Sequence, residues 1–381
     1  MTQHNYKRLG DYIQLVDKRN QDLRDLPLMG LSISKEFIPS IANTIGTDMS
    51  TYRIIRRNHF AYGPVTSRNG EKITIALFDD YDEALISQAY IPFEVSDTNQ
   101  LIPEYLIMWF RRPEFDRYAR FMSHGSAREM FAWEDMCNSQ LPVPSIEKQR
   151  EIVAEYKAIQ NRIKLNNQLI QKLEETAQAI YKQWFVEFEF PDENGKAYKS
   201  GGGKMVWNEE LGRDVPEGWR VDDFDNICSV NSGKANVSQN AGIYPIYGAG
   251  GIMAYSSEYL IDEKVLIIGR VGTHGKIFRE NSKCWPSDNT LLIKSNYYNY
   301  CYYILKFLNY DEINRGGVQA LITQTDIKGT GILLPQKLKF LNDFEKQINP
   351  FFEMIDIYSK MKNKLEGLKD LLLSKLTTIE K

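Results

Sequence analysis

Two stretches of the chain carry apolar residues at helical spacing. Ile152, Tyr156, Ile159, Ile163, Asn166, Ile170, Leu173, Ala177, Ile180 and Trp184 follow alternating steps of four and three, the seam of a coiled coil. A helix from Gln149 to Phe185 is about 55 Å long at 1.5 Å per residue, too long to lie across one small domain. That length favours a coiled coil over ordinary bundle core. Phe344, Ile348, Phe351, Ile355 and Tyr358 keep the same steps, and Leu365, Leu368, Leu372 and Leu376 continue them after a polar interruption at Lys362. Asn349-Pro350 offers an N-cap and a first-turn proline, so the long part of this second helix is expected to begin there. Two such helices in one chain most simply pair with each other, and Asn166 on the seam then fixes register at some cost in stability.

The segments ahead of these helices read as short strands and turns and repeat one another. Gly125, Asp135 and Pro144 recur as Gly316, Asp326 and Pro335 with the same spacings, Gly63 matches Gly269, Ser87 matches Ser287, and RLGDYI from Arg8 resembles VDDFDNI from Val221. Ile73 to Phe78, Glu263 to Gly269 and Asn289 to Lys294 read as strands, while YLIMWFRRPEF after Pro103 and YCYYILKFL before Asn309 read as helices. The fold class is therefore α+β: two similar globular domains, each followed by one helix of a long coiled-coil pair. The boundaries follow as 1–145 for the first domain, 146–190 for the first helix, 191–218 for a Gly-, Pro- and charge-rich linker without a core of its own, 219–336 for the second domain and 337–381 for the second helix.

Composition narrows the function. The 381 residues are 43% hydrophobic and 25% charged, with 47 Lys and Arg against 50 Asp and Glu, a formal net charge of −3. Any nucleic-acid reading must rest on local patches. The amino terminus has no apolar core for a signal peptide and no run approaches eighteen uncharged apolar residues, so a cytoplasmic protein without a membrane partner is expected. Four cysteines and four histidines stand apart from one another, suggesting neither a disulfide framework nor a metal site.

Candidate catalytic signatures fail in turn. GRVGTHGK (Gly269 to Lys276) has the wrong glycine spacing for a phosphate loop, and Ile277 stands where Ser or Thr would bind magnesium. YGAGG (Tyr247 to Gly251) lacks the third glycine of a dinucleotide fingerprint. Asn349-Pro-Phe-Phe352 lacks the second proline of the amino-methyltransferase loop it is similar to. What the two modules share is Gly, Asp, Pro and apolar positions, which is scaffold. Shared scaffold with divergent loops is expected of a binder with two reading heads and no catalytic residues.

Local charge then supplies the candidate contacts. Arg111, Arg112, Arg117, Arg120 and Arg128 stand against Glu114 and Asp116, with His124 and aromatic residues between them, and Arg53, Arg56, Arg57 and the loop residue Arg68 add to this. Guanidinium forks suit guanine edges and phosphates. The first module holds 16 basic and 19 acidic residues, so DNA binding requires its charge to be segregated onto faces. In the second module the loop candidates are Arg270, Thr273, His274 and Lys276, then Arg315 and Gln319. For each, a solvated surface residue is the competing reading, and His274, between two glycines, also reads as a turn residue. Asp135 and Asp326 read as helix or turn caps.

The duplicated module, the helix after each copy, and above all the junction AIYKQWFVEFEFPDENGKAYKSGGGKMVWNEELGRDVPEGW from Ala179 to Trp219 resemble the DNA-specificity (S) subunits of type I restriction-modification enzymes. YPIYGAGGIMAYSSEY and IIGRVGTHGKI resemble blocks of that family's target-recognition domains. The resemblance implies two target-recognition domains separated by a pair of long antiparallel coiled-coil helices, each domain reading one half of a split, asymmetric site in double-stranded DNA. It further implies two modification (methyltransferase) subunits and motor-nuclease restriction subunits as partners. S-adenosylmethionine, ATP and Mg are then expected in those partners and no cofactor in this chain. A specificity subunit of a type IIB enzyme, or a coiled-coil adaptor joining two protein-binding modules, are the rival readings.

Overall fold

The computed structural model describes residues 6–67, 69–125, 128–235, 242–272, 275–313 and 321–378. The chain packs into two compact units, residues 1–166 with 360–381, and residues 167–359.

In the first unit, four short strands form an antiparallel sheet in the order Ile13–Leu15, Ile91–Val95, Phe60–Tyr62, Ile75–Leu77. A second sheet runs Phe37–Pro39, Leu28–Leu31, Glu83–Ile86, Arg53–Arg56, with the middle pair parallel. Tyr6–Arg8 pairs with Gln140–Pro142 and closes the head. The apolar run after Pro103 makes two helices, Pro103–Phe110 and Pro113–Met122. The break falls where Pro113 forces Arg112 into extended backbone (φ −74°, ψ 139°), since the residue before a proline avoids the helical region. Phe60, Phe93, Tyr105, Phe110 and Phe131 fill the core.

The second unit repeats this plan. Its antiparallel sheet runs Ser229–Ser232, Thr290–Lys294, Val265–Gly269, Ile277–Glu280, the same order strand for strand. Its second sheet runs Gly251–Ser256, Tyr244–Gly248, Trp285–Pro286, again with one parallel pair. Arg220–Asp223 closes on Gly331–Leu334, and helix Tyr298–Phe307 corresponds to Pro103–Phe110. Gly63 follows and Gly269 ends the equivalent central strand, and Ser87 and Ser287 both follow the parallel strand, so the sequence repeat is a repeat of structure. Asp326 completes a capping box with Thr323, while Asp135 sits in the first turn of Trp133–Asn138, where the helix dipole favours an acid.

The long helices are Ile146–Phe185 and Lys339–Lys375, 40 and 37 residues. In the first unit Ile152, Val153 and Tyr156 share a core with Leu373 and Leu376. In the second unit Ala177, Tyr181 and Trp184 share one with Phe344, Ile348 and Phe352. Early residues of one helix meet late residues of the other, which makes the pair antiparallel. All ten seam positions of the first helix are buried or half-buried.

Three expectations change. The second helix starts at Lys339, with Pro350 inside it. Burial of Leu341, Phe344 and Ile348 outweighs the roughly 3 kcal/mol that an interior proline costs, and Asn349 accepts a hydrogen bond from Asn299 instead of capping. Leu368 is 52% exposed, and the stripe turns onto Leu365, Leu372, Leu373 and Leu376 because a straight α-helix drifts relative to a strict seven-residue repeat. The connection after the first helix is folded onto the second unit: Met205–Asn208 pairs with Arg213–Pro216, and Phe190 stacks on Trp219 at 5.5 Å and meets Phe340 at 4.6 Å.

Candidate nucleic-acid interface

The arginines that suggested a basic patch in the first unit are largely held by acids of the same unit. Arg112 is buried, stacked 4.2 Å from the Trp109 ring centre and paired with Glu114 at 3.1 Å, so it is withdrawn from the candidate surface. Arg117 pairs with the same Glu114, and Arg120 with Glu129. Arg53 pairs with Asp17 and Arg56 with Glu83. Arg57, in the turn before Phe60–Tyr62, donates to the Asp79 carbonyl at 2.6 Å and lies 3.4 Å from Asp82. Arg111 is half-buried and turns toward the long helix, its Nη1 3.5 Å from the Tyr156 hydroxyl.

His124 and Arg128 do come together, exposed on one loop whose ends are tied by backbone hydrogen bonds between His124 and Met130. Gly125 makes the loop possible: its φ is +143°, and a Cβ there would stand 2.1 Å from the Arg128 carbonyl oxygen. In the second unit Arg270 is half-buried at the end of a buried strand, its N–H donating to Asn289 and its carbonyl accepting from Ile322, while Lys276 is exposed. Arg68, Thr273, His274, Arg315 and Gln319 lie outside the described residues.

A feature the charge-based reading missed is the hairpin of the second sheet in each unit. In the first unit Ile33 and Ile38 are 54% and 44% exposed, and Ile41 and Ile45 in the loop that follows are almost wholly so. In the second, Ile243, Ile252, Met253 and Tyr255 are all at least half exposed. The turn Gly248 to Gly251, together with Ile252, Met253, Val271 and Asn289, lines a concavity of about 470 Å³. Residues 242 to 256 hold no charged side chain, and a two-stranded ribbon of neutral and apolar side chains is suited to base edges and thymine methyls in a major groove. The signal available in the sequence of the second unit was the absence of charge on both sides of the Gly248 to Gly251 turn.

Among the described residues, no three His, Cys, Asp or Glu side chains are grouped to hold a metal ion, and no helix is long and apolar enough to cross a membrane. A duplicated α+β head, each copy joined to a long helix and each presenting a different hairpin with exposed apolar side chains on the same scaffold, defines a recognition protein. The chain belongs to the type I restriction modification DNA specificity domain family, whose model matches it twice, over residues 35–175 and 216–366. It is similar to the type I restriction enzyme MjaIX specificity subunit of Methanocaldococcus jannaschii, 26% identical over 308 residues, covering 72% of this chain and 68% of that one. It is also similar to the HindI specificity subunit of Haemophilus influenzae, 25% identical over 139 residues, 36% of this chain and 30% of that one. The type I restriction-modification S subunit from M. genitalium shares the fold, with a TM-score of 0.65 at 14% identity over 100% of this chain and 98% of that chain.

Proposed function

We propose that the chain is a non-catalytic specificity subunit in which each unit reads one half of a bipartite, asymmetric DNA target. In this reading it acts in the cytoplasm and directs two methyltransferase subunits and the restriction subunits to that site. S-adenosylmethionine, ATP and Mg belong to those partners, and this chain takes no cofactor of its own. The observation that carries the reading is the identical order of the antiparallel sheet in two units whose exposed hairpins differ, in a chain that matches a DNA specificity domain twice. Identical frames with unlike contact surfaces suit two different half-sites, because phosphate contacts position a protein while base-edge contacts specify it. Exchanging residues 6–144 for the corresponding module of another family member, in the assembled enzyme, is expected to change one half of the modified sequence and leave the other intact. Mapping of modified bases that finds both halves altered refutes independent reading.

A further inference from the structure

Each long helix sends one buried polar side chain into the start of the same helix of its own head. In the first unit Gln149 is fully buried. Its Oε1 accepts from Ile102 N at 2.9 Å, at the start of Pro103–Phe110, and its Nε2 donates to the carbonyls of Gln100 and Pro144 at 2.8 and 2.9 Å. In the second unit Glu345, 7% exposed, accepts through Oε1 from the backbone N–H groups of Asn299 and Tyr300, both at 2.9 Å, in the first turn of Tyr298–Phe307. Its Oε2 accepts from Asn299 Nδ2 at 2.7 Å. Asn299 is held from its other side by Arg279, whose Nη2 donates to Oδ1 at 2.9 Å and whose guanidinium lies 3.4 Å from the Phe352 ring centre on the long helix. Neither head helix has a side-chain cap from its own N-cap residue, Ile102 or Tyr297. The long helix supplies the missing partner in both units, by an amide in one and a carboxylate in the other.

We propose that Gln149 and Glu345 are paired positioning residues that fix the angle of each head on its long helix, and thereby the gap between the two half-sites. Apolar packing alone is non-directional and tolerates small rotations of a head. Hydrogen bonds to a helix terminus are directional and weaken steeply with misalignment. This inference rests on the bipartite reading proposed above.

The test is to map modified bases produced by the complete enzyme carrying Gln149→Ala, Glu345→Ala or Glu345→Gln. Both alanine variants are expected to keep the bases of both half-sites but to accept gaps about one base pair longer and shorter than wild type, one pair being about 3.4 Å along the duplex axis. Glu345→Gln is expected to restore a single gap, because its amide oxygen still accepts from Asn299 and Tyr300. If the alanine variants do not assemble, Glu345→Asp, which draws the carboxylate back by one methylene, serves in their place with the same broadened gap expected. An unaltered single gap in the shortened variants overturns the positioning role, as does a change in the bases read. A wild-type enzyme with no bipartite modified sequence instead refutes the functional reading itself.

Discussion

At the scale of the residue, two basic side chains of the first unit are engaged inside the protein. Arg112 serves Trp109 and Glu114, and Lys35 is buried with Asp116 at 2.8 Å, pinning the tip of the first hairpin to the helices beneath it. Glu345 is the residue whose chemistry is most altered by its place. Burial raises its carboxyl above the usual range, against the lowering effect of its three N–H donors and Arg279. A group whose folded pKa is raised contributes stability that is complete below the ordinary carboxyl value near 4.5 and is lost as pH climbs through the folded value. The stability of wild type relative to Glu345→Gln is therefore expected to fall between pH 4.5 and 7. Thermal midpoints of both proteins at the two pH values check this. A relative stability that rises with pH would mean that the N–H donors govern the site.

At the scale of the element, the seam of the first long helix contains one buried exception. Asn166 is fully buried, and neither side-chain amide atom has a hydrogen-bond partner among the described residues. An unsatisfied buried amide costs about 1 to 3 kcal/mol, so Asn166→Leu is expected to raise the midpoint of thermal unfolding. The same substitution removes the polar position that specifies helix register, and gap fidelity in the assembled enzyme is expected to suffer. Calorimetry that shows no gain, or a loss, would indicate a partnered amide. Helix length makes a separate prediction. Removing Gln160 to Asn166, with a matching heptad from Lys339–Lys375, shortens the pair by about 10.5 Å and is expected to shift the gap by about three base pairs. Unchanged spacing of modified sites after that deletion sinks the idea that the helices act as a ruler.

At the scale of the whole molecule, charge limits what the chain does alone. The net charge is −3, and in the first unit most candidate arginines are paired within the unit. Counterion release from phosphate contacts supplies much of the affinity of DNA-binding proteins. The purified chain is accordingly expected to bind duplex DNA weakly at physiological salt, and sequence-specific affinity is expected to appear when the methyltransferase subunits are added. Titration of a labelled target with and without them measures both quantities. Tight, specific binding by the isolated chain would place the phosphate contacts here and reverse this division.

Periodicity and repetition along the chain determined the two long helices, the duplicated module and the α+β class, because a stripe of apolar residues and a recurring Gly, Asp and Pro frame are local patterns that burial must obey. They also located the central strands of the second unit, where apolar runs such as Val265–Gly269 are buried on both faces. Contacts between residues far apart in the chain decided the rest. Whether an arginine is a surface ligand or a packed one depends on acids brought beside it by the fold, as Glu114 beside Arg112 and Glu83 beside Arg56 show. Whether Pro350 begins a helix or sits within one depends on the core that Leu341, Phe344 and Ile348 enter. The anchoring of Ile102 by Gln149 and of Asn299 by Glu345 joins residues 47 and 46 positions apart and exists only once each helix lies against its head. Hydrogen bonds of that kind depend on a direction in space, and a linear order of residues carries distance along the chain but no direction.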